Sequence, residues 1–255
     1  MTAPDEQGDW ELRFSAGESV GPRIAGCLGS GLARYRPGGV DCDGWVYTEY
    51  FRDADGDGDG SGDRSIRVRQ YGESRLTRIA APGLAVFEDK SGGRGASRAK
   101  TRWTFQAGAM EAAAGAVSPA ALAGYLVASP PRPYPRLPGE QARAAAAALP
   151  GKLLRMFSVS YHRTHYLAPG TGVRVTVDDG IALLGPGAAG GESREVPGIR
   201  VELKGGRHGV RRTARFLGLE PGEANAPSKR ALGLRLFTEQ ALPRVPGITA
   251  DGARG

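Results

Sequence analysis

Residues 65–72 read SIRVRQYG, a run of β-formers that places Arg67 and Arg69 two positions apart. In a strand, side chains at i and i+2 share a face, so the two guanidinium groups stand side by side. The spacing recurs along the chain. Asp9, Glu11 and Arg13 share it, as do Glu88 with Lys90, Arg163 with His165, Arg174 with Thr176 and Asp178, and Arg200 with Glu202 and Lys204. Arginine forks grip phosphate oxygens in pairs, lysines supply point charges, and a few carboxylates hold a divalent cation. The chemistry open to such a set is the binding and turnover of a polyanion with its metal ion.

These residues need strands to position them. The chain offers DWELRFSA, GWVYTEYFRD (44–53), SIRVRQYG, LAVFEDKSG, KTRWTFQAG, MFSVSYHRTHYL, GVRVTVDDGIALL and GIRVELKGG, with β-branched and aromatic enrichment in several. Residues 109–128 and 139–149 read as helices, separated by a stiff Pro-rich crossing, and APSKRALGLRLFTEQA reads as a final helix. Opposite the charges stand Val173, Val175 and Val177, Ile66 and Val68, and Val201 and Leu203. A sheet with one apolar and one charged face can show its charges to water. If the strands close into a barrel, the charged faces converge on one interior instead. The recurrence of Arg and Glu in five or six strands favours the interior.

Other motifs carry less. DADGDGDGSGD looks like a calcium loop, but position twelve falls on Arg64 or Ile66 where a glutamate is needed. GPGAAG matches a dinucleotide fingerprint yet contains Pro186 and opens no helix, and no P-loop occurs. His162 and His165, three apart on a strand, face opposite ways and cannot share a metal. The chain has 255 residues and a net charge of +7, which favours an anionic partner. Without an aromatic RNA-binding run or a helix-turn-helix signal, nucleic acid is not expected to be that partner. Cys27 and Cys42 form no disulfide framework, and neither a leader nor a membrane span is expected, so the reading is a soluble, cytoplasmic protein.

Eight pieces in order, ELRF, IRVRQYG, VFEDKSG, AKTRW, YHRTHYL, VRVTVDDGI, VELKGG and PSKRALG, resemble the triphosphate tunnel (CYTH-like) superfamily. The resemblance is greatest to the vacuolar transporter chaperone (VTC) domain, its polyphosphate polymerase branch. It implies an α+β fold, an antiparallel β tunnel barrel with flanking helices, as one domain over residues 9–238 with disordered tails at 1–8 and 239–255. It also implies transfer of the γ-phosphate of ATP onto a growing polyphosphate chain with Mn2+ or Mg2+. In that reading Arg67, Arg69, Lys90, Arg163, Arg174 and Lys229 are the catalytic cations. Arg13 and Lys204 bind phosphate with them, and Lys100 or Arg102 does the same. Glu202, with Glu11, holds the metal. Two departures stand out: Arg13 occupies a position that is usually lysine, and YTEYFRDADGDG only loosely follows the family's tyrosine-bearing strand. The resemblance leaves a tunnel triphosphatase and a non-catalytic binder of polyphosphate or inositol phosphates as alternatives, and any coupling to membrane transport requires a partner protein.

Overall fold

Period-two alternation sets most of this fold. The computed structural model describes residues 10–35, 43–53, 65–79, 84–91, 99–106, 116–117, 153–185 and 192–237. The long strands are β1 (Trp10–Ala16), β3 (Asp43–Asp53), β4 (Ser65–Gly72), β5 (Leu84–Ser91), β6 (Ala99–Gln106), β8 (Leu153–Ala168), β9 (Val173–Leu184) and β11 (Ile199–Gly205). Short β2 (Ala33–Arg34) and β7 (Ala116–Val117) pair with β8, and β10 (Ser193–Glu195) pairs with β9. The helices are α1 (Val20–Gly26), α2 (Arg207–Phe216) and α3 (Lys229–Phe237).

The strand pairs are antiparallel, and the long strands run in the order β1-β11-β9-β8-β3-β4-β5-β6. The architecture is therefore α+β around one antiparallel sheet. The expected closed barrel is corrected: among the described residues β1 and β6 end the order, and no ladder joins them.

The apolar face is covered at the β1 end by helices. Val210 and Ala214, four residues apart on α2, and Ile24 of α1 pack with Phe14, Val173, Val175, Val201 and Leu203. At the other end Tyr47, Phe51, Ile66, Val68, Ala85, Phe87 and Leu153 form a second cluster. Full burial of each large apolar side chain stabilises by roughly 1.5–3 kcal/mol.

A third cluster lies on the charged side. Tyr50, Phe157, Val159, Ile181 and Leu183 make an apolar strip there, and α3 covers it with Leu232, Leu236 and Phe237. The helix sits close because residue 233 is glycine, placed against the Phe157 ring.

One expected helix is also corrected. Of residues 109–128, the described pair Ala116–Val117 lies in β7, opposite Leu154 and Leu153, so pairing to β8 overrides alanine's helix propensity there. The segments 1–8, 129–138, 139–149 and 239–255, Cys42, the acidic loop beyond Asp53 and GPGAAG beyond Gly185 lie outside the described residues.

Gly233→Ala tests the docking of α3. In a solvated helix the change would stabilise by up to about 1 kcal/mol. Here the added methyl would overlap the Phe157 ring, so urea unfolding should show a loss of about 1–3 kcal/mol. A gain in stability would mean that α3 does not pack there.

Candidate functional site

The register places the charged residues on one continuous face. Lys204 stands opposite Glu11, Glu202 opposite Arg13, and Arg174 and Thr176 opposite Lys204 and Glu202. Asp178 lies between Arg200 and Arg163, and Thr176 also faces His165. Farther along, Arg69 meets Thr48, Arg67 meets Glu88, and Glu88 meets Arg102 at the Cα level. On a sheet face open to water such residues would be exposed. Glu88 is only 1% exposed, Asp178 2% and Arg69 6%. The middle of the charged face is therefore sheltered from solvent, while Arg13 and Arg174 toward the β1 end are exposed.

Sheltered like charges need partners, and the cations here gather around carboxylates. Arg163 binds Asp178 through two hydrogen bonds, Nε to Oδ1 at 2.6 Å and Nη2 to Oδ2 at 2.8 Å. Lys229 donates to the same carboxylate. Arg67 pairs with Glu88, and Arg69 Nη1 approaches it at 4.0 Å while its Nε donates to Thr48 Oγ1 at 3.1 Å. At the β1 end, Lys204 Nζ lies 2.6 Å from Glu11 and 3.2 Å from Glu202, and Arg13 pairs with both acids. Among the described contacts, two cations flank one acid in each of the first two clusters.

Burial alone would raise the Asp178 pKa, but the neighbouring Arg163 and Lys229 charges and hydrogen bonds hold it well below the usual carboxylate range. Glu202 is pushed up by burial and pulled down further by Lys204, Arg163 and Lys229, reaching about 2. His165 moves the other way. Burial and the Arg163 charge lower it to about 4, so its imidazole is neutral at pH 7, with Nδ1 3.3 Å from Thr176 Oγ1.

Lys229 arrives by a helix start. The Ser228 hydroxyl accepts from the Ala231 N–H at 3.1 Å, an N-cap that begins α3 and fixes Lys229 in its first turn. A cation there opposes the helix dipole, and Asp178 offsets this. Both Lys229 and Arg163 lie over the Tyr161 ring, at 4.4 and 5.0 Å from its centroid. Beside them a cavity of about 210 Å³ opens among Gly44, Val46, Tyr71, Arg163 and His165, with Asp43 and Glu73 also in its lining.

The structure brings Arg13, Arg67, Arg69, Arg163, Lys204, Lys229, Glu11 and Glu202 into these clusters. Lys90 and Arg174 hold register positions on the same face, with Arg174 exposed. Lys100 and Arg102 stand on β6 opposite Lys90 and Glu88. The strand pattern put Asp178 and Glu88 on this face without showing that they anchor the cations, because that depends on which strands are neighbours. Arg200 was also missed as a contact. Its Nε and Nη1 are buried with no hydrogen-bond partner among the described residues, and burial lowers its pKa.

His162 lies apart from His165, with Nε2 2.9 Å from Asp43 Oδ1 and Nδ1 3.3 Å from Asp179 Oδ1. Among the described residues no three acidic, imidazole or thiol groups converge on one point. Glu11 and Glu202, on adjacent strands, fit a Mg2+ or Mn2+ ion of the kind held by one or two carboxylates plus substrate phosphate oxygens.

No protein-family model matches the chain, and no curated protein does. Among solved structures, the PH1819 protein from Pyrococcus horikoshii OT3 is similar at 13% identity and a TM-score of 0.47, over 91% of this chain and 99% of its own. A candidate adenylate cyclase from Bacillus halodurans is similar at 10% identity and a TM-score of 0.47, over 88% and 95%. Likenesses this distant bear on no activity.

Asp178→Asn should cost about 3 kcal/mol in urea unfolding at pH 6–7, because Arg163 and Lys229 then lose their counter-charge. The native pKa of Asp178 lies below its unfolded value, so its contribution is full above about pH 5 and fades as pH falls further. The gap between wild type and variant should therefore narrow between pH 5 and pH 2. A gap that stays constant would contradict the ion-pair assignment.

Proposed function

We propose that this chain is a metal-dependent phosphotransferase that moves the γ-phosphoryl group of ATP onto the end of a polyphosphate chain. The observation that supports it best is the charged face, where basic side chains from several strands are set around the buried acids Asp178 and Glu88. Arg67, Arg69, Lys90, Arg163, Arg174 and Lys229 hold the phosphates along this face. Arg13, Lys204 and Lys100 or Arg102 extend the contact, and Arg200 adds a guanidinium whose Nε and Nη1 are buried without a hydrogen-bond partner among the described residues. Glu202 and Glu11 hold a divalent cation, which when bound neutralises charge on the phosphates.

The bond that breaks joins the γ-phosphorus to the oxygen bridging it to the β-phosphorus. The bond that forms joins the γ-phosphorus to a terminal oxygen of the acceptor, and ADP leaves. An acceptor phosphate is already ionised, so no protein base is required. The work of the site is to align donor with acceptor and to stabilise charge on the transferred group. Guanidiniums held by Glu88 and Asp178 are oriented before the substrate arrives.

A second reading, hydrolysis of tripolyphosphate or a nucleoside triphosphate, is favoured by His165. A neutral imidazole beside Arg163 can accept a proton from an attacking water, a role that chain extension does not need.

Purified protein given ATP and Mn2+ separates these readings. ADP and long phosphate chains are expected. Free phosphate alone supports hydrolysis, and tight polyphosphate binding without turnover supports a binder. Alanine at Arg67 or Arg69 would leave the buried Glu88 short of counter-charge, so the better variant is Arg67→Lys/Arg69→Lys. It keeps the charge, removes the bidentate fork and should lower kcat/KM by about 100-fold or more. Full turnover in that variant would refute the assignment.

A further inference from the structure

Helix α2, RHGVRRTARF, carries like charges at a cost that no described contact offsets. Its inner stripe, Val210, Thr213 and Ala214, is buried, while Arg207, Arg211, Arg212 and Arg215 are exposed. The helix has no acidic residue, so Arg207, Arg211 and Arg215 follow one another four apart, a spacing at which like charges destabilise a helix. Arg207 also begins the helix, where a cation opposes the dipole. Among the described residues none of the four makes an ion pair, although Arg207 and Arg211 lie over the Trp10 ring, 5.2 and 5.3 Å from its centroid. Arg23 of α1 joins them, exposed and donating at 3.3 Å to the Gly218 carbonyl just past the helix end. Beside these cations lie the two exposed large apolar side chains among the described residues, Phe216 at 51% and Leu28 at 38%. Phe216 ends α2, and its ring lies against Gly31 in the turn that also holds Leu28.

We infer that this surface docks on a bilayer bearing anionic lipids, with the arginines on lipid phosphates and Phe216 and Leu28 in the acyl boundary. Because α2 covers the apolar face of the sheet, the surface lies across the sheet from the charged face, and the inference is independent of the reaction assigned there. Arg207 and Arg215 are eight residues apart, about 12 Å along the helix, so the row meets several phosphates at once. That suits an array of headgroups better than one small anion. Duplex nucleic acid or a dissolved phosphate chain would gain from the arginines alone, whereas a bilayer also takes the two apolar side chains out of water. Between Arg211 and Arg215 a cavity of about 400 Å³, edged by Trp10 and Glu220, has room for a headgroup whose ammonium meets the acid. With its apolar stripe already packed on the sheet, α2 lies on the membrane and does not enter it.

Sedimentation of the full chain with vesicles tests this, using phosphatidylcholine alone and phosphatidylcholine mixed with phosphatidylserine. Binding to the mixed vesicles should exceed that to phosphatidylcholine by at least about tenfold. Each arginine near the surface contributes about fivefold in partition, so Arg212→Gln/Arg215→Gln should weaken binding by at least about tenfold. Arg212→Lys/Arg215→Lys keeps the charge and should stay within about threefold of wild type, which separates loss of charge from loss of fold. Leu28→Ser/Phe216→Ser should weaken binding by at least about fivefold, because both side chains then leave the acyl boundary. Equal binding of wild type to both vesicles, or to neither, overturns the inference, and so does a glutamine pair that binds like wild type. Unchanged binding in Leu28→Ser/Phe216→Ser also overturns it, and displacement of the vesicles by duplex DNA would then assign the surface to a dissolved polyanion.

Discussion

The interaction on which the rest of the structure depends is the bond between Asp178 and its two cations. Asp178 is 2% exposed, and a carboxylate so buried persists in charged form only with close counter-charge. Arg163 supplies it from β8 and Lys229 from the first turn of α3. The same contact therefore ties two strands of the sheet to the helix that covers its apolar strip, and it aims two cations along one face. Glu88 does the equivalent for Arg67 and Arg69. A surface built this way is ordered before a ligand arrives.

The division of the charged face into two zones follows from α3. Where Phe157 and Gly233 meet, the side chains are apolar and the helix closes over them. Where α3 begins, Lys229 marks the change to charge. Space remains on the far side of Arg163, where glycine at position 44 leaves the wall open between β4 and β8.

Much of the sheet was legible in the sequence because it rests on local alternation. SIRVRQYG coincides with β4 residue for residue, and the segments around Val173–Leu184 and Ile199–Gly205 differ from their strands by a residue or so. The charged face was legible for the same reason. The helices α1 and α2 were not. Val20–Gly26 contains Gly21 and Pro22 and spans only seven residues, which masks its single buried residue, Ile24. In RHGVRRTARF the arginines obscure a core stripe at Val210, Thr213, Ala214 and Leu217, although its 3.6-residue period was there to be read. The anchoring role of Asp178 and Glu88 was beyond any single segment, since Asp178 faces Arg163 only because β8 and β9 are neighbours in a register shifted by the irregularity near Ser160. Closure was overestimated because alternation reports which face a residue occupies and says nothing about whether the first and last strands meet.

The most direct test of the central claim is a crystal structure with tripolyphosphate and Mn2+, phased to show the metal's anomalous signal. The account predicts phosphates against Arg67, Arg69 and Arg163 and a manganese peak beside Glu202 and Glu11. Phosphates seated instead on the exposed arginines of α2, Arg207, Arg211, Arg212 and Arg215, with no metal at the two glutamates, would contradict it.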